Sequence, residues 1–72
     1  MNKNEISLNA RRVWGLLINN SRWNYMELKR RTGLRDNELG AALGWLAHEE
    51  KVEFDHQGEN IYVFLTLNVY IG

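Results

Sequence analysis

At Lys51 the spacing of apolar residues changes from three or four to two, and this switch constrains the fold more than any other feature of the chain. Before it, Leu39, Ala42, Leu43, Leu46 and Ala47 recur on one face of a helix that the spacing places over Asp36–Glu50. After it, Val52 and Phe54 alternate with Glu53 and Asp55. The stretch His56–Asn60 reads as a turn, and Ile61–Leu67 as a returning strand.

Upstream, Ile6, Ala10, Val13 and Leu17 form a helical stripe widened by Trp14, with Arg11, Arg12 and Gly15 opposite, which predicts a helix over Glu5–Asn19. Asn19-Asn20-Ser21 is the linker-like stretch, followed by Arg22 and Trp23 as a brief extended link, where a third short strand could join the hairpin. Asn24 to Glu27 has the form of a capping box, Asn24 accepting from the third helical amide and Glu27 reaching back. It opens a short helix with Tyr25, Leu28 and Thr32 inward, stopped by Gly33. Leu34 then fills the angle before the third helix.

Helix, turn and helix in this order make a helix-turn-helix unit, and a hairpin directly after it is a wing. The expected fold is α+β, a three-helix winged helix-turn-helix with a C-terminal β-hairpin, as one domain over residues 1–72. The run Ala41-Ala42-Leu43-Gly44-Trp45-Leu46-Ala47-His48-Glu49-Glu50-Lys51-Val52, with Asn9-Ala10 and Val13-Trp14 upstream and Leu65-Thr66-Leu67-Asn68 downstream, resembles a family of short, uncharacterised bacterial winged helix-turn-helix proteins. That resemblance implies the fold and a nominal DNA-binding role. In the pattern of that family a small capping residue stands where this chain has Arg35, so Asp36 is the alternative cap for the third helix.

Several function classes fall away on composition. With no cysteine, disulfides and thiolate-held zinc or iron–sulfur sites are excluded. No apolar run reaches membrane-spanning length, and a cytoplasmic protein is expected. His48 and His56 lack metal-ligand spacing and are expected to be exposed, one on the third helix and one at the wing turn. No nucleophile with base and orienting acid, and no phosphate-cradling glycine loop, is evident. So short a domain has little room for a pocket of roughly 300 Å³. No enzyme, cofactor, metal or small-molecule substrate is expected. Trp14 and Trp45 flank the core stripes and are expected to pack there.

Charge is balanced overall but split along the chain. Residues 1–35 hold eight bases against two acids, and residues 36–72 one base against seven acids, giving +6 and −6. A bound polyanion must therefore meet the N-terminal half. The candidate nucleic-acid residues are Lys29, Arg30, Arg31 and Arg35, which could straddle a phosphate backbone, and Asn37, which could read adenine. If all four bases neutralise phosphates, affinity falls about 150-fold between 50 and 200 mM salt. Against this, Asp36 and Glu38 flank Asn37, the third helix has no lysine or arginine, and Glu53, Asp55 and Glu59 surround the wing. The basic cluster reads equally as a solvated face paired with those acids.

The competing expectation is an association module with a homodimer as partner. Gly40 and Gly44 leave a flat outward strip on the third helix, and Tyr62 and Phe64 make the second face of the last strand apolar. That face needs a cover, either the first helix, the C-terminal tail or another copy of the chain. Val69, Tyr70 and Ile71 continue the apolar character and complete the candidate interface.

Overall fold

The computed structural model describes residues 1–19 and 22–66, so Val69, Tyr70 and Ile71 lie outside the described residues, as does the Asn20-Ser21 link. Three helices, α1 (Lys3–Asn19), α2 (Tyr25–Thr32) and α3 (Asp36–His48), are joined by three strands, β1 (Arg22–Asn24), β2 (Val52–Gln57) and β3 (Asn60–Leu65). The sheet is antiparallel with order β1-β3-β2. This is the α+β winged helix, with the third strand placed where Trp23 falls.

The helix ends have local causes. Asn2 Oδ1 accepts from the Glu5 N–H at 2.9 Å, and α1 starts at Lys3, two residues before the expected Glu5. Asn24 caps α2 as expected of its side chain, but accepts from Met26 N–H at 2.9 Å, while Glu27 turns to Arg30 at 3.2 Å. The reciprocal half of that capping box is absent among the described bonds. Gly33 closes α2 at φ 72°, and its N–H donates to the Lys29 carbonyl at 2.9 Å.

At the start of α3 the cap is Arg35, not Asp36. The guanidinium cannot accept a hydrogen bond; instead Glu38 Oε1 accepts from the Arg35 N–H at 2.9 Å. Asp36 becomes the first helical residue, and its carboxylate turns to α2. At the far end the helix closes two residues earlier than its pattern suggests. Glu50 adopts φ 59°, its N–H donating to the Ala47 carbonyl and that of Lys51 to the Leu46 carbonyl, both at 2.9 Å.

The hairpin turn is tighter than expected. Gln57 pairs with Asn60, so His56 and Gln57 belong to β2 and only Gly58 and Glu59 remain in the loop. Gly58 takes φ 62°, which a two-residue hairpin connection needs at its first position and glycine supplies without strain. His56 is therefore an exposed strand residue, and His48 is exposed on α3.

The core is one cluster. Ala10, Val13 and Leu17 of α1 meet Leu28, Leu34, Leu39, Ala42, Leu43 and Leu46 from the helix-turn-helix and Val52 and Val63 from the sheet. Trp14 and Trp23 pack on its margin, and the Trp23 indole N–H donates to the Leu16 carbonyl at 3.2 Å. Trp45 departs from expectation: it stands at the surface, 37% exposed. A second departure follows from it. Trp45 and Trp14 wall an open groove of about 420 Å³ between α1 and the end of α3, where so short a chain was expected to leave little room.

Candidate functional site

The N-termini of α2 and α3 converge where a helix-turn-helix meets the DNA backbone. Tyr25, the first residue of α2, donates its hydroxyl to Asp36 Oδ1 at 2.8 Å. Lys29, one turn further along α2, places Nζ 3.0 Å from Asp36 Oδ2. One carboxylate thus ties the two helices together. Its pKa lies below the usual carboxylate range because the Tyr25 hydroxyl, then the Lys29 ammonium, bond to it. Tyr25 is pushed up to about 12, first by burial and then by its bond to Asp36 and that residue's charge.

The other bases of the cluster fare differently. Arg30 pairs with Glu27 at 3.2 Å on the exposed side of α2. Arg31 lies over the Trp23 ring at 5.9 Å, and no carboxylate among the described residues pairs with it. The Arg35 side chain is 85% exposed, with only a loose contact to Glu38 at 3.9 Å. Asn37 is exposed, but its Oδ1 accepts from the Glu38 N–H at 3.0 Å. The fold brings Lys29 to the start of α3 and leaves Arg30, Arg31 and Arg35 on the surface. Phosphates approaching here meet two paired cations, Lys29 and Arg30, one loosely held by Glu38, Arg35, and one, Arg31, with no carboxylate partner among the described residues. A fifth base near this cluster, Arg12 of α1, donates to the Thr32 carbonyl at 2.8 Å and so anchors the end of α2.

Gly40 and Gly44 are exposed on α3, and a methyl group added at either would meet no atom within 4 Å. Tyr62 and Phe64 occupy the outer face of β3, opposite Asn24 and Arg22 on one side and Asp55 and Glu53 on the other. The cover over them comes from a residue that sequence reasoning treated as a link. The Arg22 guanidinium lies 4.5 Å from the Tyr62 ring and 5.7 Å from the Phe64 ring, and is held by Asp55 Oδ2 at 2.9 Å. The Asp55 carboxyl is held below its ordinary range by Arg22 and then by the Gln57 amide, 3.0 Å away. Both rings are half-buried as a result. Tyr25 was likewise read only as an inward residue. Both roles depend on cross-element register, for which the linear sequence carries no direct signal.

Among the described residues no group of three or more histidine, aspartate or glutamate side chains is arranged to hold a metal ion, and no helix is long and apolar enough to cross a membrane.

Among curated proteins, none matches this sequence. The solution NMR structure of protein BT2368 from Bacteroides thetaiotaomicron is similar, with a TM-score of 0.84 and 28% sequence identity over 100% of this chain and 88% of that one. The winged helix-turn-helix domain family (DUF2582) matches residues 1–65. The sequence, the helix-turn-helix with its hairpin wing and this match agree: the chain belongs to the winged helix-turn-helix domain family (DUF2582).

Proposed function

We infer that this winged helix is a non-enzymatic association module, with a second copy of the chain as its partner, and not a reader of DNA sequence. The observation that carries the reading is the Tyr25–Asp36–Lys29 network. It places a carboxylate at the front of α3 and spends the nearest lysine on it. With Lys29 and Arg30 already paired, Arg31 and the loosely held, exposed Arg35 remain for phosphates. Two phosphate contacts give a salt slope of roughly −1.8, about a 12-fold loss between 50 and 200 mM salt. Contacts of that number give weak, sequence-independent binding. Association is supported by exposed glycines on α3, each costing about 0.8–1.0 kcal/mol relative to alanine in a helix interior, and by the part of the Tyr62 and Phe64 rings that Arg22 leaves exposed.

Fluorescence anisotropy with a labelled duplex, run beside sedimentation equilibrium of the protein alone, tests the reading. The expected result is a concentration-dependent dimer, with DNA binding that is weak, indifferent to sequence and lost at moderate salt. Asp36→Asn frees Lys29 and should steepen the salt slope by about 0.9. Tight, sequence-selective binding by the unmodified protein, or a strict monomer at high concentration, would sink it.

A further inference from the structure

The groove between α1 and the end of α3 has a built floor, walls and rim. Ala10 and Leu46 are buried beneath it, the Trp14 and Trp45 indoles stand beside it, and Arg11, Glu49 and Lys51 edge it. Its volume of about 420 Å³ falls in the range of small-molecule sites, which are mostly apolar with a few placed polar groups. Lys51 is fixed there by its backbone: its N–H donates to the Leu46 carbonyl at 2.9 Å and its carbonyl accepts from Thr66 N–H at 3.0 Å. Its ammonium lies 4.9 Å from the Trp14 ring and 3.7 Å from Glu49 Oε1.

The charge pattern selects the ligand. Paired indoles beside a glutamate would suit a cation, but Lys51 already occupies the face of Trp14 and already engages Glu49. Arg11, with no carboxylate partner among the described residues, adds a second positive charge, so the rim is net positive by one. Flat aromatic walls favour a flat ring, because stacked and edge-to-face arrangements both need planar partners. We propose that the groove between α1 and α3 binds a small planar aromatic carboxylate, its ring against Trp45 and its carboxylate between Arg11 and Lys51, where it draws the Lys51 ammonium off the Trp14 ring. The site is separate from the α2–α3 network and does not depend on the association reading.

Naphthoate, titrated into the ¹⁵N-labelled full chain, tests this through the three indole N–H resonances. Trp14 and Trp45 should shift together with a dissociation constant on the order of 1 mM, as a ligand of this size warrants. Trp23 is the internal reference, because its N–H is engaged by Leu16 beneath the sheet. The neutral amide, naphthamide, should bind about tenfold more weakly, as should naphthoate to Arg11→Gln or Lys51→Met, since each removes a charge-assisted contact. Arg11 is exposed on α1, so its replacement leaves the core intact even if the change at Lys51 perturbs the turn. Four results would overturn the proposal: no shift at about ten times that constant, equal binding of acid and amide, equal movement of all three indoles, or Tyr70 ring contacts to Trp14 or Trp45 in the ligand-free protein. The last would mean that the chain's own C-terminal segment fills the groove.

Discussion

Replacing Glu50 by glycine is expected to stabilise the domain, and the amount follows from the way α3 ends. Glu49 caps the helix and Glu50 follows at φ 59°, the sole non-glycine with positive φ among the described residues. The paired 2.9 Å bonds from Glu50 to Ala47 and from Lys51 to Leu46 form a Schellman closure, whose left-handed position is usually glycine. An L-residue there costs about 1–2 kcal/mol. Glycine loses about 0.4–1 kcal/mol of that gain to its greater freedom in the unfolded chain. The net gain is about 0.5–1 kcal/mol, or about 3–6 °C in Tm for a domain of this size. Glu50→Gln is the control: it removes the carboxylate from the negative end of the helix dipole, worth about 0.3 kcal/mol, and keeps the backbone strain. Thermal and urea unfolding of the three proteins separate the two effects. If Glu50→Gly is no more stable than Glu50→Gln, the strain is not there and the closure has been misread.

Three further outcomes can be measured with the same assays. Gly40→Ala and Gly44→Ala should each raise monomer stability by about 0.8–1.0 kcal/mol, since nothing crowds the added methyl, and should weaken the dimer in sedimentation if the glycines sit in its interface. Arg22→Ala should lower the urea midpoint by the loss of its ring contacts, about 0.5–1 kcal/mol, and expose Tyr62 and Phe64, whereas Arg22→Lys keeps the charge and loses the planar overlap. Stability should also fall at both ends of the pH scale. Asp36 and Asp55 have depressed folded pKa values, so their contribution is present above the ordinary value of 3.8 and is lost as pH drops below it. Tyr25 is raised, so its contribution is complete below pH 10 and is lost as pH rises toward 12. Asp36→Asn should flatten the acid limb and Tyr25→Phe the alkaline one.

Local signals carried most of the architecture. The period switch at Lys51 locates the start of β2, Gly33 the end of α2, and Asn24 its beginning, because each depends on residues within one turn of the site. The hairpin loop was placed too wide because His56 and Asn60 are polar and look like turn residues, whereas only Gly58 has the conformation that the reversal requires. Arg35 as a cap was hard to read for a related reason. Its own side chain does nothing for the helix, and Glu38, three residues on, supplies the bond. What lies between elements was out of reach. Trp45 sits beside a core stripe in sequence, and only the crossing of α1 and α3 decides that it faces a groove.

The split of charge along the chain shows how the same limit bears on function. A basic N-terminal half and an acidic C-terminal half suggest a polyanion-binding surface only while the two are considered apart. On folding, Arg22 of β1 meets Asp55 of β2, and Lys29 of α2 meets Asp36 of α3. In a helix-turn-helix docked on DNA, the Asp36 carboxylate would stand at the end of α3 that meets the groove. A phosphate at the front of α3 must displace Asp36 or rely on Arg31 and the loosely held Arg35, and exposed pairs of this kind are worth little individually but set the local field. Salt would weaken the built-in pairs as well as the competing phosphates, so low salt alone does not clear the surface for DNA. Removing the acids does, and that is why neutralising Asp36 discriminates between the two roles where adding a lysine elsewhere would not.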